Sequence, residues 1–145
     1  MAAFLDRIQQ LLGSFGKKSS GGTGFTEKEM LANFCYIGDM EGLKKQGTKF
    51  ILPVGLVVSK YVRFGKNCIL YQNVTIGGKD FPNHPGNPVH YPQIGDNVII
   101  YPGACILGPV KIGSNSVIGA NTVVVSNVPD NSMVSGNPAK IIPKK

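Results

Sequence analysis

The stretch IGSNSVIGANTVV, residues 112–124, repeats itself before it ends. Ile112, Ile118 and Val124 stand six apart, Gly113 and Gly119 each follow an isoleucine, and Asn115 and Asn121 each come three after one. A helix repeats about every 3.6 residues and a flat strand about every two, so neither explains a period of six.

Internal repeats of this kind outrank local patterns, and this one extends far beyond the stretch. Large apolar residues stand at Leu52, Val58, Phe64, Leu70 and Ile76, then at Ile94, Ile100, Ile106, Ile112, Ile118 and Val124. Three positions after these come Gly55, Asn67, Asn73, Asn97, Gly103, Asn115, Asn121 and Asn127, residue types that tolerate left-handed backbone angles. Tyr61 and Pro109 break that rule, and their corners are expected to bend differently. Four positions after, small or branched residues recur, among them Val62, Cys68, Val74, Val98, Ala104, Val110, Ser116 and Thr122. Short strands joined by tight corners, with aliphatics turned inward, close into a prism whose coils stack at the spacing of β-strands. The fold class is mainly β, a solenoid, with short helices before it.

Those helices come from a different pattern. Phe4, Leu5, Ile8, Leu11, Leu12 and Phe15 fall at helical spacing over the first fifteen residues. SSGGTG at 19–24 reads as a flexible link, TEKE at 26–29 as a capping box, and DMEGLKKQG as a short turn of helix from Asp39 to Gly47. Residues 1–51 therefore form an N-terminal helical segment and 52–145 the β-domain. Peripheral membrane contact through the first helix is open to its apolar face, although packing on protein is the commoner use.

Composition narrows the function. A formal charge of +7 suggests an anionic partner, yet the lysines are scattered without the basic stripe and interleaved aromatics of a nucleic-acid binder. A phosphorylated small molecule fits better. Three widely spaced cysteines, Cys35, Cys68 and Cys105, argue against a disulfide framework or zinc knuckle and for a reducing, cytoplasmic setting.

The pattern I-G-x-N-[small]-x resembles the hexapeptide repeat of left-handed parallel β-helix acyltransferases, over about Leu52 to Ile142. YQNVTIGGK and VPDNSMVSGNPAKII look like the serine acetyltransferase and polysaccharide O-acetyltransferase branch. The left-handed turn is implied by the resemblance alone, because general chirality favours right-handed crossovers. The resemblance also implies acetyl-CoA as co-substrate, no metal, and a homotrimer with the cofactor groove between subunits.

One excursion interrupts the repeat. GGKDFPNHPGNPVHYPQ, residues 77–93, carries twelve residues more than a repeat needs and contains both histidines, His84 and His90. Loops that leave a rigid scaffold often carry function. Acyl transfer to a hydroxyl needs a base, for which His90 ranks first and His84 second, with Tyr91 and Tyr71 as weaker candidates for orienting hydroxyls. Two departures from the family stand beside this: Leu52 occupies the position of the serine enzymes' coil histidine, and Tyr91 that of their loop-exit histidine. For the cofactor, the resemblance points to Gly77 and Gly78 near the thioester, to Gly103, Ala104 and Ala120 along pantetheine, and to Lys140 near a phosphate. The expected activity is O-acetylation of a small molecule or sugar, capsule type first, with serine as the alternative acceptor. A catalytically degenerate, CoA-binding or structural trimer subunit is a further alternative. A metal hydrolyase on this fold needs three histidines, and the chain has two.

Overall fold

A computed structural model gives the fold and describes residues 34–79 and 87–144. The expected helices over 1–15 and from Thr26, the link between them, and most of the loop with His84 lie outside the described residues. No helix of the described residues is long and apolar enough to cross a membrane.

The described chain winds into stacked three-sided coils, each side a strand of two to four residues. Face I holds β1 (Tyr36–Ile37), β3 (Val57–Val58), β6 (Thr75–Gly77), β9 (Cys105–Leu107) and β12 (Val123–Val124). Face II holds β4 (Arg63–Phe64), β7 (Gln93–Ile94) and β10 (Lys111–Ile112), extended by a bridge from Ile112 to Val128. Face III holds β2 (Lys49–Phe50), β5 (Ile69–Leu70), β8 (Ile99–Ile100), β11 (Val117–Ile118) and β13 (Ser132–Ser135). All of these pair in parallel. Only β14 (Lys140–Pro143) turns back, antiparallel to β13. Strand pairing thus starts at Tyr36, upstream of Leu52.

The apolar residue of each repeat points inward. Val58, Leu70, Ile76, Ile100, Ile106, Ile112, Ile118 and Val124 are buried in one continuous core, with Val74, Val98, Ala104 and Thr122 filling the corners from inside. Each buried aliphatic contributes about 1.5–3 kcal/mol.

Leu52 is the exception to the series. It is 53% exposed and takes φ +47°, while Phe50 holds the inward place. Lys49 pairs with Ile69, 20 residues on, whereas Val57 pairs with Thr75 after 18. The first coil carries two extra residues, so counting back by sixes from Val58 lands outside the core.

The corners follow the residue types. On the edge between faces II and III, Asn67, Asn97 and Asn115 take φ of +57°, +55° and +58°. Their side chains stack into a ladder: the Asn67 Nδ2 group donates to Asn97 Oδ1 at 3.5 Å, and the Asn97 Nδ2 group to Asn115 Oδ1 at 3.1 Å. On the edge between III and I, Gly103 (φ +73°) lies against the carboxamide of Asn121, in the space a Cβ would fill. The edge between I and II is built otherwise. Tyr61, Lys79, Pro109 and Asn127 take no left-handed angles, and at the third of these Gly108 supplies the turn at φ +88°. The loop leaves from this edge: Thr75 pairs with Cys105 after 30 residues, against 18 for Val57 to Thr75, a difference of 12.

Before the first full coil, α1 (Met40–Lys45) covers the open end. Asp39 caps it by accepting from the Gly42 N–H at 3.0 Å, Met40 and Leu43 bury against the core, and Gly47 ends the turn at φ +79°.

The ladder makes a ranked prediction. Asn97→Gly keeps the backbone angle and loses the ladder bonds to both Asn67 and Asn115, for about 1–2 kcal/mol; Asn97→Ala loses the same bonds and adds left-handed strain of about 1–2 kcal/mol more. Denaturant unfolding of both variants checks the order.

Candidate active site

The loop exit is fixed by local chemistry. The Asn87 side chain accepts from the Val89 N–H at 3.1 Å, opening a single 3-10 turn, Pro88–His90, and the Tyr91 N–H closes it on the Pro88 carbonyl at 3.2 Å. His90 ends this turn half-buried. Tyr91 is buried, its ring packed on Tyr61 at 5.0 Å between centroids. At the loop entrance Gly77 closes β6, and Gly78 faces the Tyr91 ring, which a Cβ there would meet at 3.1 Å. Gly77 is open: among the described residues, and leaving out its two chain neighbours, no atom lies within 4 Å of where its Cβ would sit. Entrance and exit therefore meet on the edge between faces I and II, with His90 beside them in sequence and none of the described side chains over Gly77.

The other expected cofactor residues lie on a different edge. Gly103 and exposed Ala120 occupy the corners between faces III and I, where the Asn121 N–H donates to the Pro102 carbonyl. Lys140 opens β14 opposite Ser135, exposed, at the end of this edge. Ala104 shares the corner, but its side chain is fully buried in the core and faces away from any groove. Leu52 belongs to this edge too, exposed, so the position that the sequence resemblance aligns with a coil histidine is a surface position here. Tyr71 and Tyr101 stack on it at 5.1 Å, 17° from parallel.

Within one chain, then, face I separates the loop edge from the edge of Gly103, Ala120 and Lys140. Its outward side chains, with those of face III, are mostly apolar: Tyr36, Val57 and Met133 are exposed and Val123, Ile69, Ile99 and Val117 half-buried, with Lys49, Thr75 and Ser135 as the polar positions. Face II instead presents Arg63, Gln93 and Lys111. Neither the two apolar faces nor the split between the edges was visible in the repeat, which marks only what points inward. Among the described residues, no group of three His, Cys, Asp or Glu gathers as a metal site.

Comparison with known proteins places this coil. Residues 91–126 match the family model of the bacterial transferase hexapeptide, six repeats. Serine acetyltransferases of Staphylococcus aureus (strain Mu50) and Mycobacterium tuberculosis are 44% identical over 89 residues and 43% over 88, covering 61% of this chain and 40% and 37% of theirs. Among solved structures, serine acetyltransferase of Brucella abortus superposes with a TM-score of 0.61 at 34% identity, over 68% of this chain and 38% of that one. A serine acetyltransferase solved in complex with CoA gives 0.57 at 33%, over 66% and 37%. The chain spans about two fifths of the length of the curated relatives it matches. The fold is the left-handed parallel β-helix of hexapeptide-repeat acyltransferases, as the sequence resemblance implied. Within that class the similarity runs to the serine acetyltransferase branch.

The thiols are placed for structure. Burial pushes Cys35 and Cys68 above the ordinary thiol range, which keeps them protonated and unreactive. Iodoacetamide at pH 8 is expected to leave both unlabelled in the folded chain and to label both in denaturant, read by mass spectrometry. A raised folded pKa also means their contribution to stability is intact below the unfolded value near 9.0 and falls as pH rises beyond it.

Proposed function

We propose that the chain is an acetyl-CoA-dependent O-acetyltransferase acting on a small hydroxyl compound. The observation that carries this is the 44% identity to serine acetyltransferases over 89 residues, beside a loop exit that bears His90. In the reaction the acceptor oxygen attacks the thioester carbonyl carbon while His90 takes the hydroxyl proton, with His84 as second candidate. Backbone N–H groups at the loop entrance, around Gly77 and Gly78, stabilise the oxyanion. Collapse breaks the C–S bond, and the CoA sulfur leaves as thiolate and is protonated. Gly103, Ala120 and Lys140 border the pantetheine and phosphates.

The relatives support serine as first acceptor ahead of a capsule sugar. Leu52 favours a second reading, a subunit that binds CoA without turnover, because leucine moves no proton. Thiol release from acetyl-CoA, with L-serine and with sugar acceptors, separates the two. His90→Ala is expected to lower kcat at least about 100-fold with CoA affinity unchanged. Wild-type rates in both His90→Ala and His84→Ala mean that histidine is not the base.

The split between edges supports a site shared by copies of the chain in a homotrimer, the loop edge of one subunit lying beside the Gly103 edge of the next. Sedimentation at micromolar concentration is expected to give three times the chain mass. Val57→Asp, on the outward side of face I, is expected to give monomers that keep their circular dichroism.

A further inference from the structure

Exposed apolar side chains gather where the described chain enters the first coil. Phe34, Leu52 and Val54 form the middle of this patch, and Tyr36 and Val57 continue it onto face I. The Cys35 thiol donates to the Pro53 carbonyl at 3.0 Å, the Tyr36 N–H donates to the Leu56 carbonyl at 2.7 Å, and Tyr36 pairs in register with Val57. Residues 34–36 therefore run directly beside residues 52–57. Cys35 is buried, so its neighbours turn outward, Phe34 to 85% exposure. No charged residue occurs in 34–38 or in 50–58.

The backbone marks the same place. Among the described residues, eight other than glycine take left-handed angles; six are asparagines, and the remaining two are Phe34 at φ +57° and Leu52 at φ +47°. That region is costly for bulky side chains, and such strain collects at functional surfaces. Here it turns two large apolar side chains outward at one rim, while Phe50 fills the inward place.

The sequence supplies a surface to match. Residues 4–15 carry Phe4, Leu5, Ile8, Leu11, Leu12 and Phe15 at helical spacing, and the chain between that segment and Phe34, residues 16–33, includes the link SSGGTG. The link thus ends inside the patch. A flexible stretch of that length has an end-to-end distance of about 21–25 Å, which holds the segment beside the patch at an effective concentration on the order of millimolar.

We propose that the apolar side of residues 4–15 docks on Phe34, Leu52 and Val54 of the same chain and seals the first coil. The inference stands apart from the acetyltransferase reading, and the two fail separately.

The chain has no tryptophan, so Leu12→Trp in the full chain gives a single fluorescent reporter. Its emission is expected to be blue-shifted and shielded from iodide. Adding Leu52→Asn and Val54→Gln is expected to shift the emission to the red and restore quenching, with circular dichroism kept, because asparagine suits the left-handed angle at position 52. Met133→Gln, which removes an exposed apolar side chain on β13 at the other end of the stack, leaves the reporter unchanged. Solvent-like emission in the parent, or emission that ignores the changes at 52 and 54, overturns the docking.

Disulfide trapping tests the same contact without disturbing the rest of the patch. Oxidation is expected to join Leu12→Cys to Val54→Cys at least about tenfold faster than Leu12→Cys to Met133→Cys, as the local concentration at a docked site requires. The product runs at the mass of one chain in a denaturing, non-reducing gel. A link formed only between chains gives the patch to a neighbouring copy and overturns the same-chain occupant. Emission that turns blue only when phosphatidylglycerol vesicles are added gives the segment to a membrane surface, with the same consequence.

Discussion

Everything in this molecule depends on coils landing on one another in register. Strands of two residues cannot hold a sheet by their own pairing; what keeps them aligned is the corner between them, where a left-handed residue turns the chain and its carboxamide reaches the next coil. Asn97 does both, at φ +55° and with a 3.1 Å bond to Asn115. Beside it, the Asp96 N–H donates to Ser114 Oγ at 3.0 Å and the Ser114 N–H to Asp130 Oδ1 at 2.7 Å, so a second column runs down the same edge. Corner geometry then fixes which side chains face inward, and the core follows from it.

The same register divides the outside into unlike surfaces. Two faces turn mostly apolar side chains outward and one turns Arg63, Gln93 and Lys111, so a coil that looks threefold from within is asymmetric from without. The edge that abandons left-handed corners is the one that releases the loop. A chain leaving and re-entering there disturbs no carboxamide ladder, and the Tyr61–Tyr91 contact closes the gap in its place.

Much of this was legible in the sequence because the period reports a physical constraint at every repeat. Inward positions from Val58 to Val124, the bent corners at Tyr61 and Pro109, and the size of the loop follow from counting. Leu52 shows where counting fails: two extra residues in the first coil shift the phase, and nothing in the apolar pattern distinguishes a surface leucine from the buried Phe50 two places earlier. Ala104 shows a second limit. A small residue near a ligand and a small residue filling a corner from inside look alike in sequence, and burial alone tells them apart.

Parallel coils have no inherent length: each exposes the template for another, and a stack that ended on a bare coil would invite growth into fibres. Strand β14 answers that hazard. By reversing onto β13 it replaces a parallel edge with one running the wrong way. Pro143 has no N–H to offer an incoming strand, Lys140 stands exposed at the start of the strand and Lys144 just beyond its end, and the Lys144 ammonium is tied back to the Asn115 carbonyl at 2.8 Å. On face III the hairpin thus works as a terminator, removing the parallel edge on which another strand could continue the column.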